Sequence, residues 1–476
     1  MKRRLFMLAA LSVAFAASAA SPRIVEGSVT FSEIGDGSGR YKITYLLDDA
    51  PGIVTADIFT NGVSIGSACI MSGDVNRLLE PDDEKPKEIW WTPVSVLQGF
   101  ALSDEDKLTV KVTAWKKESP PDYFAVRLDF DASGDVFRYY ASSNTVPGGV
   151  ADKLYKTDMM LFRKVPAAGA TYRMGSPAEE AEAAGKKTNE TQHDVRLTND
   201  YYVAVYPMTR AQYKRIKSTK MYVSADDDLY PAIQSYDSVR GSSSGAKWPE
   251  NDEVDSNSIV GVLRGRTGMR FDLLTEAEWE YACRAGTTTA LNSGKNLTNQ
   301  TGIDAAAEEV AVYKGNSGQV AQQVGSHLPN AWGLFDMHGC VYEWCLDWYV
   351  AKLGSSFATS PVGPASSEDS TRVLRGGYYK SEPKEIRSAF RTRKAPTKTD
   401  NVTGVRLKCP VFESMYAGAD SKSSEEVACS ISLGASASAV LDADEESPFV
   451  SVVCRSGDSN GMNFVSKPIG TILLVR

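Results

Sequence analysis

Apolar side chains recur with a period of two in the first quarter of the chain, and this restricts its fold more than any other feature. Leu108, Val110, Val112 and Ala114 interleave with Thr109, Lys111, Thr113 and Trp115, and Tyr41, Ile43, Tyr45 and Leu47 interleave with Lys42, Thr44 and Leu46. Such a period places one set of side chains on a single face of a strand, where it can be buried. The turn Gly35-Asp36-Gly37-Ser38-Gly39 and the polar run Glu80 to Lys87 punctuate these segments, as an antiparallel sandwich requires. Residues 21–130 are therefore expected to form an all-β, immunoglobulin-like or fibronectin-like sandwich with Cys69 as its one cysteine. Residues 131–153, with Ser142-Ser143-Asn144 and Pro147-Gly148-Gly149, read as a linker.

Ahead of the sandwich, residues 1–20 combine a basic start, an apolar run from Leu5 to Ala16 and the small residues Ala17-Ser18-Ala19-Ala20. This is the pattern of a secretory signal peptide, and the apolar run is shorter than a membrane span needs. A secreted or periplasmic destination follows, in an oxidising compartment. The net charge of −8 argues against nucleic acid as a partner, and no later window is apolar enough to span a bilayer.

Beyond the linker the punctuation changes to that of helices. Thr275 and Glu278 form a capping box with Leu274 and Trp279 as a hydrophobic staple, and Thr209 with Gln212, flanked by Met208 and Tyr213, repeats the device. Cys283, four residues after Trp279, is expected on the buried face, with Gly286 ending the helix. Residues 154–410 thus read as a larger α+β domain. Residues 411–476, with strand patterns at Val427 to Leu433, Phe449 to Cys454 and Thr471 to Val475, read as a small β appendage in which Cys429 and Cys454 are candidates for a disulfide.

Four blocks of the larger domain closely resemble the formylglycine-generating enzyme family, also called sulfatase-modifying factors. They are Tyr172 to Ser176 leading to Tyr202 through Thr209, Phe271 to Gly286, Asn330 to Tyr349, and Arg372 to Gly377 with Arg387 to Arg393 and Gly404-Val405-Arg406. The resemblance implies a variant of the C-type lectin fold. It also implies, for the oxidising members, conversion of a substrate cysteine to formylglycine by molecular oxygen and copper(I) held by two cysteines. In the family those cysteines lie between the Gly-Gly of the fourth block and its arginine-rich part. Here that segment, Tyr378 to Ile386, contains Ser381 and no cysteine. Hard oxygen ligands do not replace thiolates on copper(I), so copper is not expected and no catalytic residue is assigned.

The resemblance suggests further sites. Cys283 and Cys409 match a family disulfide, with Cys409 two residues later than usual. Cys340 stands where the family usually has Asn, and Cys340 and Cys345 are expected as a disulfide or as two separate buried thiols ahead of a relocated copper site. A structural calcium ion would draw on His338, Gly339, Val341 and Glu343. The alternative, in which Glu343 pairs with a core arginine, stands equally open. Arg375, Arg387, Arg391, Arg393 and Arg406 are expected mainly in internal salt bridges, with an anion clamp as the other reading. Tyr378, Tyr379, Lys380, Trp332 and Arg391 are the candidates for a binding surface, toward a protein, peptide or glycan ligand on the lectin-like face. Glu179 and Glu180 read as a solvated pair. The expectation is a secreted binding module that lacks the copper pair, against the alternative of an oxidoreductase acting on sulfatase-type cysteine peptides through a rearranged metal site.

Overall fold

A computed structural model describes residues 20–93, 107–129, 136–185, 189–217, 228–411 and 427–432. In it the period-two segments form strands β1 (Arg23–Ile24), β2 (Thr30–Glu33), β3 (Tyr41–Asp48), β4 (Gly52–Thr60), β5 (Val63–Ser64), β6 (Met71–Gly73), β7 (Arg77–Leu79), β8 (Asp82–Trp91) and β9 (Leu108–Trp115). One antiparallel sheet runs β1-β3-β8-β6 with β2 also on β3; a second joins β9, β4 and β5, with β7 on β4. Ile43, Tyr45, Leu47 and Ile89 of the first sheet share one core with Val54, Ile58, Val110 and Val112 of the second. The alternation is therefore explained by two sheets covering each other's apolar faces, each buried Val, Ile or Leu contributing about 1.5–3 kcal/mol.

The next strands belong elsewhere. β10 (Tyr123–Arg127), within the stretch expected to complete the sandwich, pairs with β11 (Phe137–Tyr140) and β12 (Met159–Val165). Phe137–Tyr140, expected in a linker, is instead an edge strand of the six-stranded sheet to which β10 and β12 belong. Aromatic packing decides the matter: Phe124 stacks on Phe162 at 4.8 Å and meets Tyr202 edge-on at 4.5 Å. Alternation identifies a strand but not the sheet that receives it.

The remaining strands are β13 (Thr171–Met174), β14 (His193–Arg196), β15 (Tyr201–Ala204), β16 (Asp272–Leu273), β17 (Ala311–Val312), β18 (His338–Gly339), β19 (Tyr342–Trp348), β20 (Ala358–Thr359), β21 (Arg372–Arg375), β22 (Arg391–Lys394), β23 (Thr403–Gly404) and β24 (Leu407–Pro410). They build the six-stranded sheet β11-β10-β12-β15-β24-β16, the four-stranded sheet β22-β21-β19-β23, and the smaller sheets β13-β14-β20 and β17-β18. The first region rests on the second. The Tyr139 N–H donates to the Asn76 carbonyl at 2.8 Å, and Ile53 of β4 joins the core of Phe124, Met160 and Phe162.

Both helix starts form as their caps require. For the helix Glu276–Arg284, the Thr275 hydroxyl accepts from Glu278 N while Glu278 Oε2 accepts from Thr275 N at 2.8 Å. Thr209 and Gln212 repeat the exchange at 3.0 and 3.2 Å ahead of Arg210–Lys217. The first helix stops one residue earlier than expected: Ala285, not only Gly286, adopts positive φ, at 45°. Thr275→Ala should cost about 1 kcal/mol of stability, the ordinary worth of an N-cap, read as a lowered urea midpoint at constant slope.

The last described strand, β25 (Val427–Ser432), pairs antiparallel with β9. The independent appendage expected over 411–476 is corrected to this extent, because that strand extends a sheet of the first region. Residues 1–19, the strand patterns at Phe449 to Cys454 and Thr471 to Val475, and Cys454 lie outside the described residues. Among the described residues no helix is long and apolar enough to cross a membrane.

Candidate functional site

The loop after β21 stands where the resemblance places copper cysteines. Gly376 and Gly377 turn it with φ of 88° and 78°. A Cβ on Gly377 would lie 2.6 Å from the Glu385 carbonyl oxygen and 2.7 Å from Ile386 Cγ2, so only glycine lets the loop close on itself. The closed loop is held from outside: Tyr379 N donates to the Cys340 carbonyl at 3.1 Å, Lys314 N to the Ser381 carbonyl at 3.0 Å, and Ser317 Oγ to the Tyr379 carbonyl at 2.5 Å. Ser381 is fully buried; its hydroxyl accepts from Tyr378 N at 3.1 Å and lies 3.5 Å from the Tyr342 hydroxyl.

Three tyrosines cluster over this loop. Tyr342 and Tyr378 are 5.1 Å apart between ring centroids, Tyr378 and Tyr379 are 5.5 Å apart, and Lys380 Nζ lies 5.5 Å from the Tyr379 ring centre. Tyr379 is buried, Tyr342 and Tyr378 are half-buried, and Lys380 is exposed. Burial pushes the Tyr342 hydroxyl up to about 12, so it stays a neutral donor and acceptor. Sequence reasoning did not single out Tyr342; its place at the first position of β19, beside the loop, is set by pairing between distant segments. Trp332, expected in this cluster, packs instead on Tyr281 at 5.1 Å. Arg391 is also elsewhere: it is buried and grips Glu276 through two bonds of 2.7 Å, so it presents no surface charge.

The five described cysteines, Cys69, Cys283, Cys340, Cys345 and Cys409, are free and buried. This corrects the expected links Cys283–Cys409 and Cys340–Cys345. Cys283 packs with Trp279, Met337 and Cys345, whereas Cys409 lies in the core of Phe124, Phe271 and Leu407. Cys340 packs with Val312 and Tyr379, apart from Cys345. The second of the two readings, separate buried thiols, describes these residues. The Cys429 side chain and Cys454 lie outside the described residues, so their proposed pairing has no geometry. Cys340 has φ of 64°, a left-handed conformation that Asn tolerates better than other non-glycine residues. Burial raises the thiols of Cys340 and Cys345 well above their ordinary range. Cys340 and Cys345, neutral and in separate clusters, do not converge as the two thiolates that copper(I) needs.

Calcium does not fit the carboxylate proposed for it. Glu343 Oε1 accepts from Arg406 Nη2 at 2.9 Å and Nε at 3.1 Å, and Oε2 accepts from Trp279 Nε1 at 2.6 Å. A guanidinium on this fully buried carboxylate occupies the position and the charge a cation would need. His338 is likewise engaged: Nδ1 donates to the Ile386 carbonyl at 2.6 Å and Nε2 accepts from Asn292 N at 3.0 Å, which fixes a neutral ring. Burial pulls its pKa down to about 4. Gly339 serves packing, since a Cβ there would meet the Val312 carbonyl at 1.9 Å. The same loop places the Val341 side chain in the interior.

The other arginines are internal as well. Arg375 joins Glu280, Arg387 joins Glu190 at 2.8 Å and Glu180 at 2.8 Å, and only Arg393, paired with Asp369, is substantially exposed. Glu180 is therefore an ion-pair partner and not one of a solvated pair. Among the described residues no group of three or more His, Cys, Asp or Glu converges as a metal site would.

A family model described as the sulfatase-modifying factor enzyme 1-like domain matches residues 163–409. The serine/threonine-protein kinase pkn1 of Chlamydia pneumoniae is 28% identical over 240 residues, which cover 49% of this chain and 36% of that protein. The formylglycine-generating enzyme of Mycobacterium tuberculosis is 26% identical over 293 residues, covering 51% of this chain and 95% of that protein. Among solved structures, Treponema denticola variable protein 1 aligns with a TM-score of 0.42 at 21% identity, covering 53% of this chain and 95% of that one. The chain spans about a third of the length of the first curated relatives it matches.

Proposed function

The chain belongs to the sulfatase-modifying factor family through residues 163–409, and on that premise we propose that it is a ligand-binding member of the family and not an oxidase. In this reading the family domain has a C-type lectin-like fold, the N-terminal sheets are an immunoglobulin-like or fibronectin-like sandwich that presents it, and a signal peptide directs the chain to the periplasm or the exterior. The observation that carries the proposal is Ser381. Where the resemblance calls for soft thiolates, the loop Tyr378 to Ile386 offers a buried hydroxyl engaged by Tyr378 N, under a lid of tyrosines. Tyr342, Tyr378 and Lys380 offer aromatic area, hydroxyls and one exposed cation, the means by which rigid loops hold a peptide or a sugar ring. The kinase relatives share this domain over a fraction of their length, so family membership alone assigns no chemistry here.

Two measurements test the proposal. Purified protein given copper(I), oxygen and a cysteine-containing sulfatase-type peptide should show no oxygen uptake above the blank and retain no stoichiometric copper; sustained turnover would overturn it in favour of a rearranged oxidase site. On peptide and glycan arrays, signals from the wild-type chain should disappear in Tyr378→Ala, and signals that persist would locate recognition on another face.

A further inference from the structure

We propose that β25 is the missing last strand of the N-terminal sandwich, so that the family domain is inserted between the sixth and seventh strands of that sandwich and the segment after it returns to clasp β9. The strand order carries the inference. The first sheet, β1-β3-β8-β6, and the second, β25-β9-β4, reproduce the ABED and GFC arrangement of a seven-stranded immunoglobulin sandwich, with β25 in the place of the final strand. In such a sandwich the final strand ordinarily follows the sixth directly. Here the chain leaves β9 at Trp115, passes Pro120-Pro121 and enters β10 of the other sheet, so no neighbouring segment fills the position.

Without β25, β9 would be an open edge. Its Leu108, Val110, Val112 and Ala114 lie in the core and its β4 side is paired from Ile53↔Trp115 to Thr60↔Leu108, while the alternate N–H and C=O groups on the far side would face outward unpaired. A long edge of this kind is a template for strand addition. The register of the occupant agrees with the pleat. Val427, Cys429 and Ile431 stand opposite the core positions Ala114, Val112 and Val110, and Ala428, Ser430 and Ser432 stand opposite Thr113, Lys111 and Thr109. A slip by one residue would set small polar residues opposite the core positions, so the alternation of the segment itself selects this pairing.

The clasp places the two ends of the sandwich on either side of a complete second domain, and the occupant of the receptor edge is this chain's own segment, paired in cis. The native Cys429 supplies a test in the full-length protein. Directly opposed residues of antiparallel strands have Cα atoms about 4.5–5.5 Å apart, within the span of a disulfide. In a Cys454→Ser background, which removes the other candidate partner of Cys429, Val112→Cys should therefore give, on mild oxidation, a Cys429-linked peptide from the monomer. An interchain link at the same residues would mean that the strand comes from a second copy, and a folded variant with neither link would remove β25 from the edge; either result overturns the proposal. Because Val112 is fully buried, hydrogen exchange gives a second reading that leaves β9 unaltered. Ser430→Pro should accelerate exchange of the outward amides of residues 108–115 by about tenfold or more while their β4-facing amides stay protected. Equal exchange in wild type and variant would equally overturn the clasp.

Discussion

Arg406→Leu should destabilise the protein by about 3–5 kcal/mol, the range for leaving one member of a buried ion pair uncompensated. Arg406 is fully buried and donates to both Glu343 oxygens, to the carbonyls of Ala204 and Val205 at 2.8 and 3.0 Å, and to that of Phe335 at 2.7 Å. Leucine removes the guanidinium and leaves the carboxylate with Trp279 Nε1 as its remaining named donor. Urea unfolding at neutral pH measures the loss. The double variant Glu343→Gln with Arg406→Leu should be less destabilised than the two single losses added together, because the second change neutralises the stranded charge. Strict additivity would show that the pair does not act as a unit.

Asp347→Asn should change stability with a clear dependence on pH. The Asp347 carboxyl, buried on β19, accepts from Glu276 N at 2.7 Å. Burial first, and then the neighbouring Glu276 carboxylate, push its pKa up to about 7. A carboxyl with a native pKa above its unfolded value of 3.8 holds its proton more tightly when folded. Its stabilising effect is thus complete at low pH and is lost as pH rises toward 7 and beyond. Asn does not titrate, so the variant should gain about 2–3 kcal/mol relative to wild type between pH 5 and pH 8. Neutral His338 has the opposite slope: its native pKa of about 4 lies below 6.5, so its contribution is lost as pH falls through that interval. Subtracting wild type at each pH removes His338 from the comparison and isolates Asp347. A flat difference between the two pH values would refute the assignment.

Local signals in the sequence proved readable where short-range chemistry decides the outcome. The capping boxes at Thr275 and Thr209 formed as their side chains demand, and the alternation at Tyr41 to Leu47 and Leu108 to Ala114 marked real strands. Long-range placement was hidden. Nothing near Phe124 announces that it packs against Phe162 and Tyr202, and nothing near Val427 announces β9. The candidate site shows the same division. Tyr378, Tyr379 and Lys380 were visible because they adjoin the Gly-Gly turn, whereas Tyr342 joins them and Trp332 leaves them through contacts between distant segments. The cysteine pairs failed for a related reason. Spacing in a strand indicates the face of a side chain but not which of two cores that face lines.

The six-stranded sheet also bears on synthesis. β15 lies between β12, which precedes it closely, and β24, whose neighbour Arg406 bonds Ala204 across 202 residues. At about 5–20 residues per second, a ribosome leaves one side of β15 open for roughly 10–40 s before β24 emerges. During that interval the nascent chain exposes an aromatic-rich half-sheet, so a holding chaperone acting on the stretch from Tyr201 onward would act when aggregation competes most strongly with folding.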